Sequence, residues 1–142
     1  MTNTQFDHRF TVPLHEIDAA GVLFFAHMFR HAHDAYEAFM SSIGFSLNSI
    51  LDANVYQLPL VHSEADFLRP IHHADEICIQ LQVTRVGQTS FSLSFRFLDS
   101  EDSELALVRT VHVAKDPETT KSRPIPEDLR KRLKMVQPRK IS

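Results

Sequence analysis

No tryptophan, one cysteine and three glycines stand among the 142 residues. Cys78 has no partner for an intramolecular disulfide, which fits a reducing compartment and excludes a disulfide-built secreted scaffold. Its place among apolar neighbours in "EICIQLQV" makes it a buried strand residue rather than a reactive thiol. No apolar run approaches the roughly 20 residues a membrane span needs, and no N-terminal signal pattern is present. A cytoplasmic chain without a membrane partner is the expectation. A net charge of −3 gives no reason to expect nucleic acid either. What the chain does have, 43% hydrophobic and 23% charged residues, suits one globular domain over 1–142 with a core of its own.

With glycine so scarce, its positions carry meaning. Gly21 lies within the stretch "HEIDAAGVLFF", after Glu16 and Asp18 and just before a long amphipathic segment. From Phe25 the apolar positions are Phe25, Met28, Phe29, Ala32, Ala35, Tyr36, Phe39, Met40 and Ile43, in helical steps of three and four. His27, Arg30, His31, Asp34 and Glu37 fall on the polar face. The spacing predicts a helix over 26–43, stopped by Gly44 in the left-handed conformation. A shorter helix is expected in "SLNSIL".

Beyond Pro59 the period changes to two. Strands are predicted from Leu60 to Leu68, through "DEICIQLQVTRVG", through "FSLSFRFLD" and through "ELALVRTVHVAK", the last apolar on both faces and therefore internal. The connections "GQT" and "SEDS" are short, so the last three strands form an antiparallel meander. An opening strand from Phe6 to Leu14 makes five, and Leu129, Leu133 and Val136 mark a short C-terminal helix. The class is α+β: one long central helix wrapped by a curved five-stranded antiparallel sheet. A single helix leaves part of such a sheet uncovered, which points to a homodimer or homotetramer.

Two blocks carry a family resemblance. The first is Asp18-Ala19-Ala20-Gly21, "VLFF", then "AHMFRHAHDAYEAF"; the second is "DFLRPIHHADEICIQ". With the strand order, they make the chain similar to the hotdog-fold acyl-CoA thioesterases of the 4-hydroxybenzoyl-CoA thioesterase type. Within that group it most resembles the 1,4-dihydroxy-2-naphthoyl-CoA hydrolases of phylloquinone and menaquinone synthesis. The resemblance implies hydrolysis of an aromatic acyl-CoA, with no separate cofactor because coenzyme A is part of the substrate. It assigns Asp18 as nucleophile or general base and the backbone N–H of Phe25 as the group that polarises the thioester oxygen. A general base commonly contributes about 10² to 10⁴ in rate, and one such N–H donor on the order of 10² to 10³. Gly21 would let the chain turn beneath the acyl group without a Cβ in the way. Phe24, Phe29 and Phe67 are candidate apolar walls, and His27 lies close enough to the helix start to touch substrate. By residue type alone, Asp18 reads as a turn or capping acid and each phenylalanine as core.

The pattern is not followed throughout. Several bacterial relatives have His after the aromatic of "VVYH", where this chain has Phe25, so a mechanism needing that imidazole does not apply. A basic run that contacts the nucleotide in the name-giving thioesterase is replaced by "VGQTS". The CoA phosphates must then be met by Arg69, Arg85, Lys115, Lys121 or Arg123, from the same or a neighbouring subunit. Glu16, two residues before Asp18 in an extended approach, should face away from it, as a secondary polar contact or a surface residue. His27, His31 and Asp34 have the spacing of a metal face. They lie on the expected solvated side without a second ligand cluster, and no metal is assigned; His72 and His73 belong to an exposed loop. Besides a thioesterase, the same residues allow broader or short-chain acyl-CoA specificity, a non-catalytic acyl-thioester binding module, or more remotely a hydratase.

Overall fold

The apolar stripe does form a helix, α1 (Phe25–Ser42), and its buried residues include Met28, Ala32, Ala35, Tyr36, Phe39 and Met40. The computed structural model describes residues 3–139. The stripe differs from expectation at its start. Phe25 is 57% exposed, whereas His31, expected on the solvated face, is only 6% exposed. His31 lies three residues after Met28 and four before Ala35, so it shares their face and borders the core. At the other end the Phe45 N–H reaches back to the Met40 carbonyl at 2.9 Å, with Gly44 at φ +89°. Only glycine adopts that turn without strain, which is why the helix stops there. The expected short helix follows as α2 (Leu47–Ala53), capped by the Ser46 side chain.

The strands are β1 (Phe6–Thr11), β2 (Leu60–Phe67), β3 (Glu76–Val86), β4 (Ser90–Leu98) and β5 (Glu104–Val113), all antiparallel in the order β1-β3-β4-β5-β2. The meander of β3, β4 and β5 follows from the short connections. Ile77, Ile79 and Leu81 on β3, with Phe91, Phe95 and Phe97 on β4, are at most 2% exposed and form the centre of the core. β5 is internal, as its two apolar faces predict, between β4 and β2. β1 ends three residues earlier than expected. Pro13 has no N–H to continue a ladder, and the chain passes into a 3₁₀ turn at Leu14–Glu16. Cys78 is buried on β3, and its burial pushes the thiol above its ordinary pKa, as suits an inert strand residue.

α3 (Glu127–Val136) buries Leu129, Leu133 and Val136 and packs against β3. Glu127 and Asp128 in its first turn and Lys134 in its last oppose the helix dipole favourably. The other flank of the sheet is bare: β2 is exposed along seven of its eight residues, with only Ala65 half-buried. Among the described residues, no helix is long and apolar enough to cross a membrane.

Candidate active site

Between β1 and α1 the chain reverses on itself. Ile17 and Leu23 face each other as an antiparallel bridge. Inside it the Asp18 N–H donates to the Val22 carbonyl at 2.9 Å, and the Gly21 N–H to the Asp18 carbonyl at 3.0 Å. Asp18 Oδ1 also accepts the Ala20 N–H at 2.9 Å, an Asx turn that fixes the carboxylate against its own loop. Oδ2 accepts no hydrogen bond among the described residues. Gly21 is required here by its φ of +82°, not by clearance: a Cβ built on it meets nothing within 4 Å.

The turn is tied directly to the start of α1. The Phe24 N–H donates to the Glu16 carbonyl at 2.9 Å, and the Leu23 N–H to the Ile71 carbonyl at 2.7 Å. The next two N–H groups, of Phe25 and Ala26, have no acceptor among the described residues. They are the free donors and positive dipole end that a helix N-terminus offers. A cleft of about 340 Å³ opens beside them, lined by Asp18 and Leu23 from the turn, Phe25 and Met28 from α1, and Phe67 and Arg69 from the end of β2. Its volume falls in the roughly 300–1,000 Å³ range of small-molecule sites.

Four of the residues singled out in the sequence, Asp18, Phe25, Phe67 and Arg69, thus meet in one cleft. Phe24 is not among the residues that line it; its ring lies 4.8 Å from that of Phe25 and 6.0 Å from that of half-buried His27, in an edge arrangement. Phe29 lines a different, small cavity with Tyr36 and His112. Arg85 is not brought to the cleft. It lies near the far end of β3, about 30 Å of strand from Glu76, where Lys115, Lys121 and Arg123 also cluster beyond β5. Arg123 is engaged there, donating to the Val55 carbonyl at 3.1 Å and lying over the Tyr56 ring.

Glu16 is not a surface residue. It is 1% exposed, and Oε1 lies 2.6 Å from His31 Nε2 while Oε2 pairs with the guanidinium of Arg30. Burial first, then the positive charge of Arg30, push the His31 imidazole down to about 4. Since a carboxylate only accepts, Nε2 carries the hydrogen donated to Glu16. Phe10 stacks on the ring at 3.8 Å. These contacts occupy His31, and no group of three metal-ligating side chains exists among the described residues. Nothing in the sequence pattern marked Glu16 as buried, whereas His31 could have been found from its spacing to Met28 and Ala35.

The profile of the thioesterase-like superfamily matches residues 12–133. The chain belongs to that superfamily. Among curated thioesterase relatives, it is 34% identical over 133 residues to a 1,4-dihydroxy-2-naphthoyl-CoA hydrolase of Rippkaea orientalis, covering 92% of this chain and 96% of that one. It is 38% identical over 119 residues to the hydrolase of the same name from Picosynechococcus, covering 80% and 82%. The solved 1,4-dihydroxy-2-naphthoyl-CoA thioesterase from Synechocystis superposes with a TM-score of 0.85 at 30% identity, over 91% of this chain and 95% of that one. A Staphylococcus aureus protein solved in complex with CoA shares the fold at a TM-score of 0.88 and 18% identity, over 100% of this chain and 91% of that one.

Proposed function

We propose that the chain is an acyl-CoA thioesterase that hydrolyses an aromatic acyl-CoA, 1,4-dihydroxy-2-naphthoyl-CoA of quinone synthesis being the substrate the relatives favour. The observation that carries this reading is a single cleft in which an acid with a free oxygen adjoins an unpaired helix N-terminus. The thioester carbonyl oxygen accepts from the Phe25 N–H as negative charge builds on it. Asp18 then acts as general base on water or as nucleophile. In the first case the water oxygen bonds to the acyl carbon, the C–S bond breaks, and the proton taken by Asp18 is returned to the departing thiolate. In the second, an Asp18 oxygen bonds to the acyl carbon as the C–S bond breaks and CoA thiolate leaves; water then opens the acyl-aspartyl anhydride to the free acid and the Asp18 carboxylate, and the proton released goes to the thiolate. A single turnover in ¹⁸O water that labels the Asp18 carboxylate identifies the anhydride route, because general-base catalysis puts the label only in the product. Leu23, Met28 and Phe67 supply apolar walls for a flat ring.

The working unit is a homo-oligomer. β2 is an uncovered edge, and Phe25, Phe67 and Leu68 are each more than half exposed. An isologous antiparallel pairing of two β2 edges would bury them. It would also carry the Lys115, Lys121 and Arg123 end of one copy toward the Asp18 end of the other, adding phosphate contacts to Arg69. A cytoplasmic location suits the lone Cys78.

Thiol release from naphthoyl-, benzoyl- and straight-chain CoA thioesters tests the substrate class. A clear preference for the dihydroxynaphthoyl thioester is expected, and equal rates on all of them would withdraw it. Sedimentation showing a monomer at assay concentration would overturn the oligomer.

A further inference from the structure

We propose that Glu16 is a positioning residue for this hydrolysis: its buried carboxylate, held by Arg30 and His31 on α1, fixes the Asp18 turn against the helix N-terminus. The proposal rests on the thioesterase reading above for its catalytic consequence, though not for its geometry. Glu16 is tied at Phe24, the residue before α1, and again at Arg30 and His31 on α1, six and seven residues further along. Its main-chain carbonyl accepts from Phe24, immediately before Phe25, at 2.9 Å. Its side chain reaches nearly two turns further, to His31 at 2.6 Å and to Arg30. Only Ile17 separates Glu16 from Asp18, and Ile17 is itself bridged to Leu23. A shift of Glu16 along α1 must therefore move Asp18 relative to the Phe25 N–H.

The choice of residues argues the same way. The Glu16 side chain has no exposed surface, and Phe10 covers the imidazole that it holds. Burying a carboxylate with its partners costs desolvation that apolar side chains of similar size avoid, so such a cluster is poorly explained by stability alone. It does impose direction: a carboxylate between one guanidinium and one imidazole N–H has few acceptable placements. A misplacement of about 1 Å between reacting groups is enough to lower a rate on the order of 100-fold.

The test compares Glu16→Gln, Glu16→Asp and Arg30→Gln with the unaltered oligomer. Arg30 is half exposed, so its truncation is tolerated if Glu16→Gln does not fold. Steady-state thiol release and amide hydrogen exchange are measured on each folded protein. Expected for Glu16→Gln is a kcat lower on the order of 100-fold with KM changed less than about threefold. Faster exchange should be confined to residues 17–26, with β3, β4 and β5 protected as before. Glu16→Asp should recover part of the rate, and Arg30→Gln should shift both readouts in the same direction. Unchanged kcat and exchange would overturn the proposal; so would faster exchange spread evenly through the sheet, which is the mark of a merely structural residue. If the unaltered protein releases no thiol from any substrate, the thioesterase reading fails, and localised exchange still decides whether Glu16 holds the turn.

Discussion

Acidification should destabilise the protein through His112 well before its carboxylates are protonated. This imidazole is 2% exposed, lies between the rings of Tyr36 at 4.3 Å and Phe91 at 5.3 Å, and meets the Leu58 carbonyl through Nδ1 at 3.1 Å. Burial pushes its pKa from 6.5 down to about 4, opposed by the Leu58 contact and aided weakly by His33. The unfolded chain takes up a proton near pH 6.5 and the folded one does not until about 4. Stability from this group is therefore complete above pH 6.5 and falls steadily to pH 4, where the loss is finished. Each tenfold difference in proton affinity is worth about 1.4 kcal/mol, so the gap from 6.5 to about 4 corresponds to roughly 3 kcal/mol. At about 2.1 cal/mol/K of unfolding entropy per residue, that is a fall in Tm on the order of 10 °C. The assay is thermal and urea unfolding between pH 7.5 and 4 at one fixed protein concentration, for the native chain and His112→Gln. Glutamine can still donate to Leu58 but does not titrate. The variant should start less stable and lose about 3 kcal/mol less over the window, since His31 titrates in both proteins. Parallel stability curves for the two would refute the reasoning.

Other outcomes follow from the same structure. Gly21→Ala should cost about 1–2 kcal/mol in urea unfolding, because it strains a φ of +82° although space for the methyl is free; a neutral result would contradict the strain argument. Leu129→Ala removes a side chain with no exposed surface where α3 meets β3, and should destabilise by about 2–5 kcal/mol without moving KM. Arg69→Ala should raise KM for CoA thioesters several-fold and leave kcat nearly intact, since Arg69 lines the cleft as a cation for the CoA phosphates; an equal fall in kcat would place it at the reacting carbonyl.

How much of this was legible in the sequence depended on how local the determining interactions are. The α1 stripe and the β3–β5 meander are short-range patterns, one set by helical periodicity and the other by connections of a few residues, and both were readable. The sheet order was not: placing β1 beside β3 and β2 outside β5 requires pairings such as Phe10 with Ile77 and Phe67 with Ala106, which strand alternation does not encode. The Asp18 turn was found because its acid, glycine and following helix are contiguous. The burial of Glu16 is not legible because its partners, Arg30 and His31, are fourteen and fifteen residues away, and a 3₁₀ turn after Pro13 replaces the strand that would have turned it outward. Arg85 lies at the end of the sheet opposite the Asp18 cleft of its own chain, a separation set by the length of β3 and not by residue order.

The most direct test of the account is thiol release by Asp18→Asn beside the native protein on the dihydroxynaphthoyl thioester. Asparagine keeps an acceptor for the Ala20 N–H, so the turn should persist while the basic oxygen is lost. A kcat lower by at least about 100-fold is expected, with an unchanged melting temperature and substrate still bound. Native rates in a correctly folded Asp18→Asn protein would contradict it.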